Sequence, residues 1–345
     1  MYIKRIVILI VALGLIFMGS FSLYVYKVMF KSNTSFDEKS KDLYIKTGTS
    51  YNQLLNQIDS YVLNVNDFDV LAKRKKYTVR PGKYQIKNGM NNNEIINSLR
   101  SNNITVNVIY NNIVDLEDLA GKISNQIEAD SISFLNSFKT EFFKERGFDE
   151  KNILSMYIPN SYNFFWNTSV EKFNKRMFEE YTKFWQKNNR VEKANKIGLT
   201  KNEVMILASI VYEESKQNIE LRKIAGVYIN RLNDNWKLGA DPTVKFAAYQ
   251  LEEYKNTIIR RVLNKHLRID SPYNTYKYYG LPPGIISMPS IQAIDAVLNY
   301  EKHNYYFFAA DPSNPGYHSF AKSLSEHKRN ARKFHRYLNS KGIKK

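Results

Sequence analysis

The sequence contains no cysteine. Disulfides, thiolate metal sites and cysteine nucleophiles are therefore excluded, while the compartment stays open, since exported proteins also dispense with disulfides. Histidine is scarce, five in 345 residues, which argues against a multi-histidine metal site. There is no GxxxxGK[ST] phosphate loop, no paired Cys/His spacing and no RNP-like aromatic motif. The expectation is an activity with no metal and no other cofactor. Acidic residues are also in short supply: 33 Asp and Glu face 51 Lys and Arg, a formal charge of +18. That balance suits anionic lipid or an acidic wall polymer, or is simply a basic, soluble surface. Nucleic acid is not expected as a partner, because its recognition motifs are missing.

Long apolar runs are absent apart from one. MYIKR is followed by IVILIVALGLIFMGSFSLYVY, the 21 uncharged residues Ile6 to Tyr26. A membrane-spanning helix needs roughly 20 apolar residues. A cleaved signal peptide also begins with a basic stub, but its apolar core runs about 7–15 residues, so a retained single-pass anchor is the better reading. Lys4 and Arg5 on one side and Lys27 and Lys31 on the other give little charge bias. A stub this short favours 1–5 inside and the rest outside the cytoplasmic membrane. Residues 27–42, with the polar run KSNTSFDEKSK, read as a linker.

The remainder reads as α+β in two parts. DLYIKTGTSYNQLLNQI suggests a strand, a Gly turn and a helix starting near Ser50; YTVRPGKYQIKNGMNNNEIINSLRS suggests strand, Pro-Gly turn, strand, Gly turn and helix. These define a small α+β module over 43–105, a spacer or a polymer-binding unit. A larger mixed α+β domain follows over 106–345. It opens on an alternating TVNVIY strand, has helical spacing from Leu116 to Phe143 and again from Val170 to Lys187, and carries an aromatic-rich MYIPNSYNFFW segment.

Within that domain, ASIVYEES ends an apolar run in two adjacent carboxylates. Thr200 and Glu203 fit a capping box, which predicts a helix from about Lys201 to Lys216. At 100° per residue, Glu214 falls about −20° from Leu207 and continues the Leu207, Ile210, Val211 stripe, whereas Glu213 falls near −120°. A carboxyl against apolar neighbours loses solvation and keeps its proton to higher pH, which is what a general acid needs. The alternative is a Glu paired with Arg222 or Arg231. Next, NIELRKIAGVYINRLN should form a helix packed on the first, with Asn230 and Arg231 near its end. LGADPTVKF turns at Gly239 and supplies Asp241 and Thr243, and SPYNTYKYYGLPPG brings Tyr273, Asn274 and Tyr276 on Pro-containing turns suited to a preformed groove wall. YYFFAADPSNPGYHSFAKSLSEHKRN reads as strand, hairpin and helix, with His318 and His327 in structural roles.

In order and spacing, ASIVYEES, AGVYINRL, LGADPT, SPYNTY, GLPPG and YYFFAADPSNPGYHSFAKSLSEH resemble the endolytic murein transglycosylases, the YceG-like family. The 43–105 module with RPGKYQI is similar to that family's LysM-like subdomain. The resemblance implies internal cleavage of nascent peptidoglycan glycan strands between N-acetylmuramic acid and N-acetylglucosamine, leaving 1,6-anhydro ends. It also implies a location at the inner (cytoplasmic) membrane with the catalytic domain on the outer, periplasmic side, in the company of peptidoglycan synthases (penicillin-binding proteins). The family's catalytic Glu aligns with Glu214, and Tyr212 stands where relatives carry a first acid. Asn230, Asp241, Thr243, Tyr273, Asn274 and Tyr276 are the expected sugar-holding residues. PNSYNFFW and GIISMPS depart from the family pattern. Two alternatives stay open: a non-catalytic, membrane-anchored glycan-binding scaffold, and a two-carboxylate glycoside hydrolase using Glu214 and Asp241.

Overall fold

The computed structural model describes residues 2–255 and 257–340. The apolar run forms helix α1, Tyr2–Met29, long and apolar enough to cross a membrane. Its side chains from Ile3 to Leu23 are exposed. The chain divides into two compact units. One comprises residues 1–108, 125–129 and 162–169; the other comprises 109–124, 130–161 and 170–345.

In the first unit, strand β1 (Ser40–Ile45) pairs antiparallel with β2 (Gly82–Lys87). Leu43 and Ile45 of β1 and Tyr84 and Ile86 of β2 alternate into the core, the period-two pattern of a sheet with one buried face. Helices α2 (Tyr51–Asp59), α3 (Val65–Arg74) and α4 (Asn92–Ser101) complete it. Ser50 and Asn91 close capping boxes at α2 and α4, satisfying helix-end N–H groups that would otherwise lack partners. Two features differ from expectation. Residues 77–80 form no strand: Tyr77 is buried, the Arg80 carbonyl accepts from the Tyr84 hydroxyl at 3.1 Å, Pro81 has no N–H to offer, and β2 takes β1 as its partner instead. Helix α3 lies outside the expected elements, although its Asn64 cap, accepting from the Asp67 N–H at 3.1 Å, and its buried Phe68, Leu71 and Ala72 at helical spacing are local signals for it. The polar stretch after α1 is pinned: buried Asn33 accepts from the Asn64 N–H at 2.9 Å and donates to Asn92 Oδ1 at 2.7 Å, and Asn92 donates to the Val28 carbonyl at 2.9 Å.

Strand β3 (Thr105–Tyr110) pairs with β4 (Asn160–Phe165). The helical spacing from Leu116 to Phe143 resolves into three short helices, α5 (Leu116–Ser124), α6 (Ser131–Ser137) and α7 (Glu141–Lys144). The breaks fall at residues that favour local backbone contacts over a continuous helix: Asp130 accepts from the Ser133 N–H at 2.7 Å, and Thr140 donates to the Ser137 carbonyl at 2.7 Å. Helix α8 (Val170–Gln186) buries Phe173 and Met177 against this group, and Tyr157 donates to Asn174 at 2.7 Å inside it. Next come α9 (Arg190–Lys196), α10 (Lys201–Glu214), α11 (Asn218–Asn233), α12 (Asp241–Tyr249), α13 (Asn264–Leu267) and α14 (Ile291–Leu298). The chain then forms hairpin β5 (Phe307–Ala310) with β6 (His318–Ala321), and helix α15 (Leu324–Ser340) packs on that hairpin. The result is a mixed α+β protein in which α10 is surrounded by α9, α11, α12 and α14.

Candidate active site

Helix α10 begins at the predicted capping box, with Thr200 Oγ1 accepting from the Glu203 N–H at 3.2 Å and Glu203 returning the bond to the Thr200 N–H at 2.8 Å. Every residue from Val204 to Val211 is buried. Beyond its first turn the helix has no solvent face until its last, so the next charged residues to emerge are those at its end. Tyr212 bonds to Asn112. The two carboxylates then part. Glu213 is exposed, accepts from Ser287 at 2.9 Å and pairs with Lys216 at 3.3 Å. Through that bond and the Ile286 N–H donating to Ser209 at 3.2 Å, the GIIS segment is fastened along α10. Glu214, the final helical residue, is half-buried and accepts from the Tyr228 hydroxyl at 2.5 Å.

Among the described residues Glu214 forms no ion pair. Arg222 donates instead to the Asn299 carbonyl at 2.6 Å, and Arg231 to the Tyr306 carbonyl at 2.8 Å and to the Leu238 carbonyl. Burial is the largest influence on Glu214 and raises its pKa to about 7; the Tyr228 hydrogen bond opposes the rise, the Asp241 charge adds to it, and Arg231 and Lys245 work against it. Tyr228 is itself fully enclosed, and burial, then the nearby Glu214 charge, keep its hydroxyl protonated far above the ordinary range.

Glu214 opens onto a cavity of about 620 Å³. Tyr228 and Arg231 of α11 form one wall, and Trp236, Lys237 and Gly239 of the following loop continue it. Asp241, at the start of α12, accepts from the Tyr276 hydroxyl at 2.6 Å, and both residues line the cavity. Residues 307–310, His318, Leu324 and His327 enclose it from the hairpin and α15. Trp236 remains 45% exposed and Tyr276 37% exposed, so two aromatic faces stand at an opening lined by charged groups, a surface suited to saccharide rings.

Of the six expected sugar-holding residues, Asp241 and Tyr276 line this cavity and the other four do not. Asn230 donates both amide hydrogens away from it, to the His303 carbonyl at 2.8 Å and the Tyr305 carbonyl at 3.0 Å, and so anchors the segment leading into β5. Thr243 is fully buried between the Ala240 carbonyl at 2.7 Å and Thr275 at 2.8 Å. Asn274, also fully buried, holds the Leu267 and Ile269 carbonyls at 3.0 and 2.8 Å. Tyr273 packs on Phe246 with 4.7 Å between ring centres and lines a different cavity, of about 480 Å³, with Phe138 and Leu154. Tyr228, which lies on the apolar face of α11, Trp236 and Lys237 also line the cavity, and none of the three carries a local sequence signal of a site residue. His318 was expected to be structural, and its Nδ1 lies 3.0 Å from buried Glu220 while its N–H donates to the same carboxylate at 2.8 Å.

The YceG-like family matches residues 43–333, and the chain belongs to that family. A Bacillus subtilis (strain 168) protein named endolytic murein transglycosylase is 31% identical over 309 residues, covering 82% of each chain. A Streptococcus pneumoniae serotype 2 protein of the same name is 34% identical over 143 residues, covering 41% of this chain and 25% of the relative. The 2.6 Å crystal structure of a yceG-like protein from Listeria monocytogenes superposes with a TM-score of 0.56 at 22% identity, covering 84% of this chain and 98% of that one; this likeness concerns the fold alone.

Proposed function

We propose that this protein is a membrane-anchored lytic transglycosylase that cuts peptidoglycan glycan strands internally, with Glu214 as its single general acid and base. The observation that carries the reading is a half-buried carboxyl, its pKa raised to about 7, lining a cavity of about 620 Å³. The names of the relatives, endolytic murein transglycosylase, point the same way.

The chemistry needs no water and no second carboxylate. Glu214, protonated, gives its proton to the glycosidic oxygen as the bond from the N-acetylmuramyl C1 to that oxygen breaks. The resulting carboxylate takes the proton of the muramyl 6-hydroxyl as O6 bonds to C1. The proton returns to Glu214, and the products are a free N-acetylglucosamine 4-hydroxyl and a 1,6-anhydromuramyl end. Tyr228 holds the acid in place and steadies its ionised form between the two transfers. Asp241, Tyr276 and Trp236 border the substrate. The apolar helix α1 anchors the chain, with the cavity outside the cytoplasmic membrane, where the strands are made.

A second reading rests on Asp241, a carboxylate in the same cavity. Paired with Glu214 it would serve a hydrolase, in which one carboxyl protonates the leaving oxygen and the other activates water or attacks. Mass spectrometry of fragments from uncrosslinked strands separates the two. Wild-type protein should yield anhydro-ended internal fragments, and Glu214→Gln should yield none. Hydrated ends, heavier by one water, would overturn the transglycosylase reading in favour of the hydrolase; intact strands that still bind would overturn both in favour of a scaffold.

A further inference from the structure

His327 lies in the first turn of α15, its backbone N–H donating to the Ser323 carbonyl at 3.0 Å. It is the last residue along the chain to line the Glu214 cavity. Its ring stacks on Phe307 of β5, 5.3 Å between centres and tilted by 22°, which fixes the ring plane and leaves the two nitrogens in different surroundings. Nδ1 is covered by protein and has no hydrogen-bond partner among the described residues. Nε2 likewise has no hydrogen-bond partner among the described residues, but it is not sealed in this way.

A neutral imidazole carries one N–H donor and one acceptor. Placing the hydrogen on Nδ1 would bury an unpaired donor, an arrangement proteins avoid more strictly than a bare acceptor. Charging the ring would put hydrogens on both nitrogens, with that same buried donor unpaired. Burial, and after it the Arg231 guanidinium, push the His327 pKa below the ordinary value. The other ionisable groups around the cavity are Glu214, Tyr228, Lys237, Asp241, Tyr276 and His318, and Glu326 and Lys328 flank His327 on its own helix. Glu214 is itself protonated over much of the range in which histidine would charge.

We propose that His327 is a neutral hydrogen-bond donor to the saccharide: Nε2–H faces the cavity and binds an acceptor oxygen of the sugar, a hydroxyl or an N-acetyl carbonyl. The inference rests on the saccharide-cleaving reading of this cavity. His327 moves no proton; it helps hold the strand while Glu214 reacts.

Two measurements on the full chain in detergent micelles test it. The first is 15N NMR of histidine-labelled protein, with His327→Gln used to assign the signal. The His327 ring should remain the neutral Nε2–H tautomer from pH 5.5 to 8; an Nδ1–H tautomer or an imidazolium at pH 6.5 would overturn the proposal. The second compares cleavage of uncrosslinked glycan strands. His327→Phe keeps the stack on Phe307 and loses the donor, and should raise KM so that kcat/KM falls about tenfold. His327→Gln, whose amide nitrogen lies near the Nε2 position, should recover most of that loss. Full activity in His327→Phe, or equal loss in both variants, would mean that the ring is structural. If the wild-type chain itself leaves strands intact, the function reading fails, and the tautomer still decides the state of His327.

Discussion

Tyr228 and Glu214 come from successive helices, and the tyrosine hydroxyl donates to the carboxylate across 2.5 Å. The bond favours the charged carboxylate and so opposes the effect of burial. In Tyr228→Phe that opposition is lost, while the ring can keep its edge-to-face contact with Phe308 at 5.9 Å. The Glu214 pKa should rise, and the basic limb of the activity–pH profile should move to higher pH. The rate at the optimum should drop by less than about tenfold, since one neutral donor is removed. A limb that stays in place would separate Tyr228 from the proton transfer.

Asp241 acts with the opposite sign. Its charge raises the Glu214 pKa, so Asp241→Asn should lower it and bring the basic limb to lower pH. The Tyr276 hydroxyl keeps an acceptor in this variant, so the cavity wall should hold its shape. The test is again the pH profile, read together with the fragment ends. A limb shifted downward with anhydro ends preserved makes Asp241 an electrostatic neighbour of the acid; loss of all cleavage would make it a partner in bond breaking.

Ionised Glu214 is also a cost to the fold. Its pKa is about 7 in the folded chain against 4.5 for an unperturbed group. Below about pH 4.5 both states hold the proton and there is no penalty. Between the two values the folded state binds the proton and the unfolded state does not, so stability falls as pH rises, and the loss is complete above about 7. Glu214→Gln removes the titration. It should match the wild type near pH 4.5 and be more stable by roughly 2 kcal/mol at pH 8, a figure reduced for partial exposure. Denaturant midpoints at the two pH values measure it, and equal midpoints at pH 8 would leave Glu214 without a raised pKa.

Helix α10 and the deeper burial of Glu214 than of Glu213 are legible in the sequence because local rules govern both. A Thr–Glu capping box sets the start, an unbroken apolar stretch buries the middle, and the 100° step decides which carboxylate continues the stripe. The Tyr-, Asn- and Pro-rich loops misled for a physical reason. Buried loop backbone needs hydrogen-bond partners, and Thr243, Asn274 and Asn230 meet that need inside the protein, which spends the polar atoms that would otherwise meet a sugar. Tyr228 follows the apolar stripe of α11 faithfully, so periodicity alone marks it as core and says nothing of where its hydroxyl ends. His327 and Trp236 reach the cavity only because the β5–β6 hairpin folds back over α11, a long-range arrangement with no local signature. The short helices α5 to α7 show the converse: one long apolar period was present, and Asp130 and Thr140 cut it.

The support beneath the site is open to a stability test. Arg190 of α9 is buried and holds Asp295 of α14 through two bonds, at 2.8 and 2.9 Å, and also donates to the Phe184 carbonyl at 2.9 Å. Helix α14 packs on both α10 and α11, so this pair steadies the two helices that bring Glu214 and Tyr228 together. The partners are unequally placed: the Arg190 side chain is 6% exposed and that of Asp295 is 37% exposed. Asp295→Ala strands a buried cation and should cost about 3–5 kcal/mol. Arg190→Met strands only a carboxylate that water can reach, fills the space with an apolar chain, and should cost roughly half as much. The double variant should lie near Arg190→Met, because the stranded charge is then gone. Urea midpoints of the four proteins decide the matter, and a larger loss for Arg190→Met than for Asp295→Ala would mean that stacking of the guanidinium over the Phe184 ring, 3.9 Å to its centre, matters more than the ion pair.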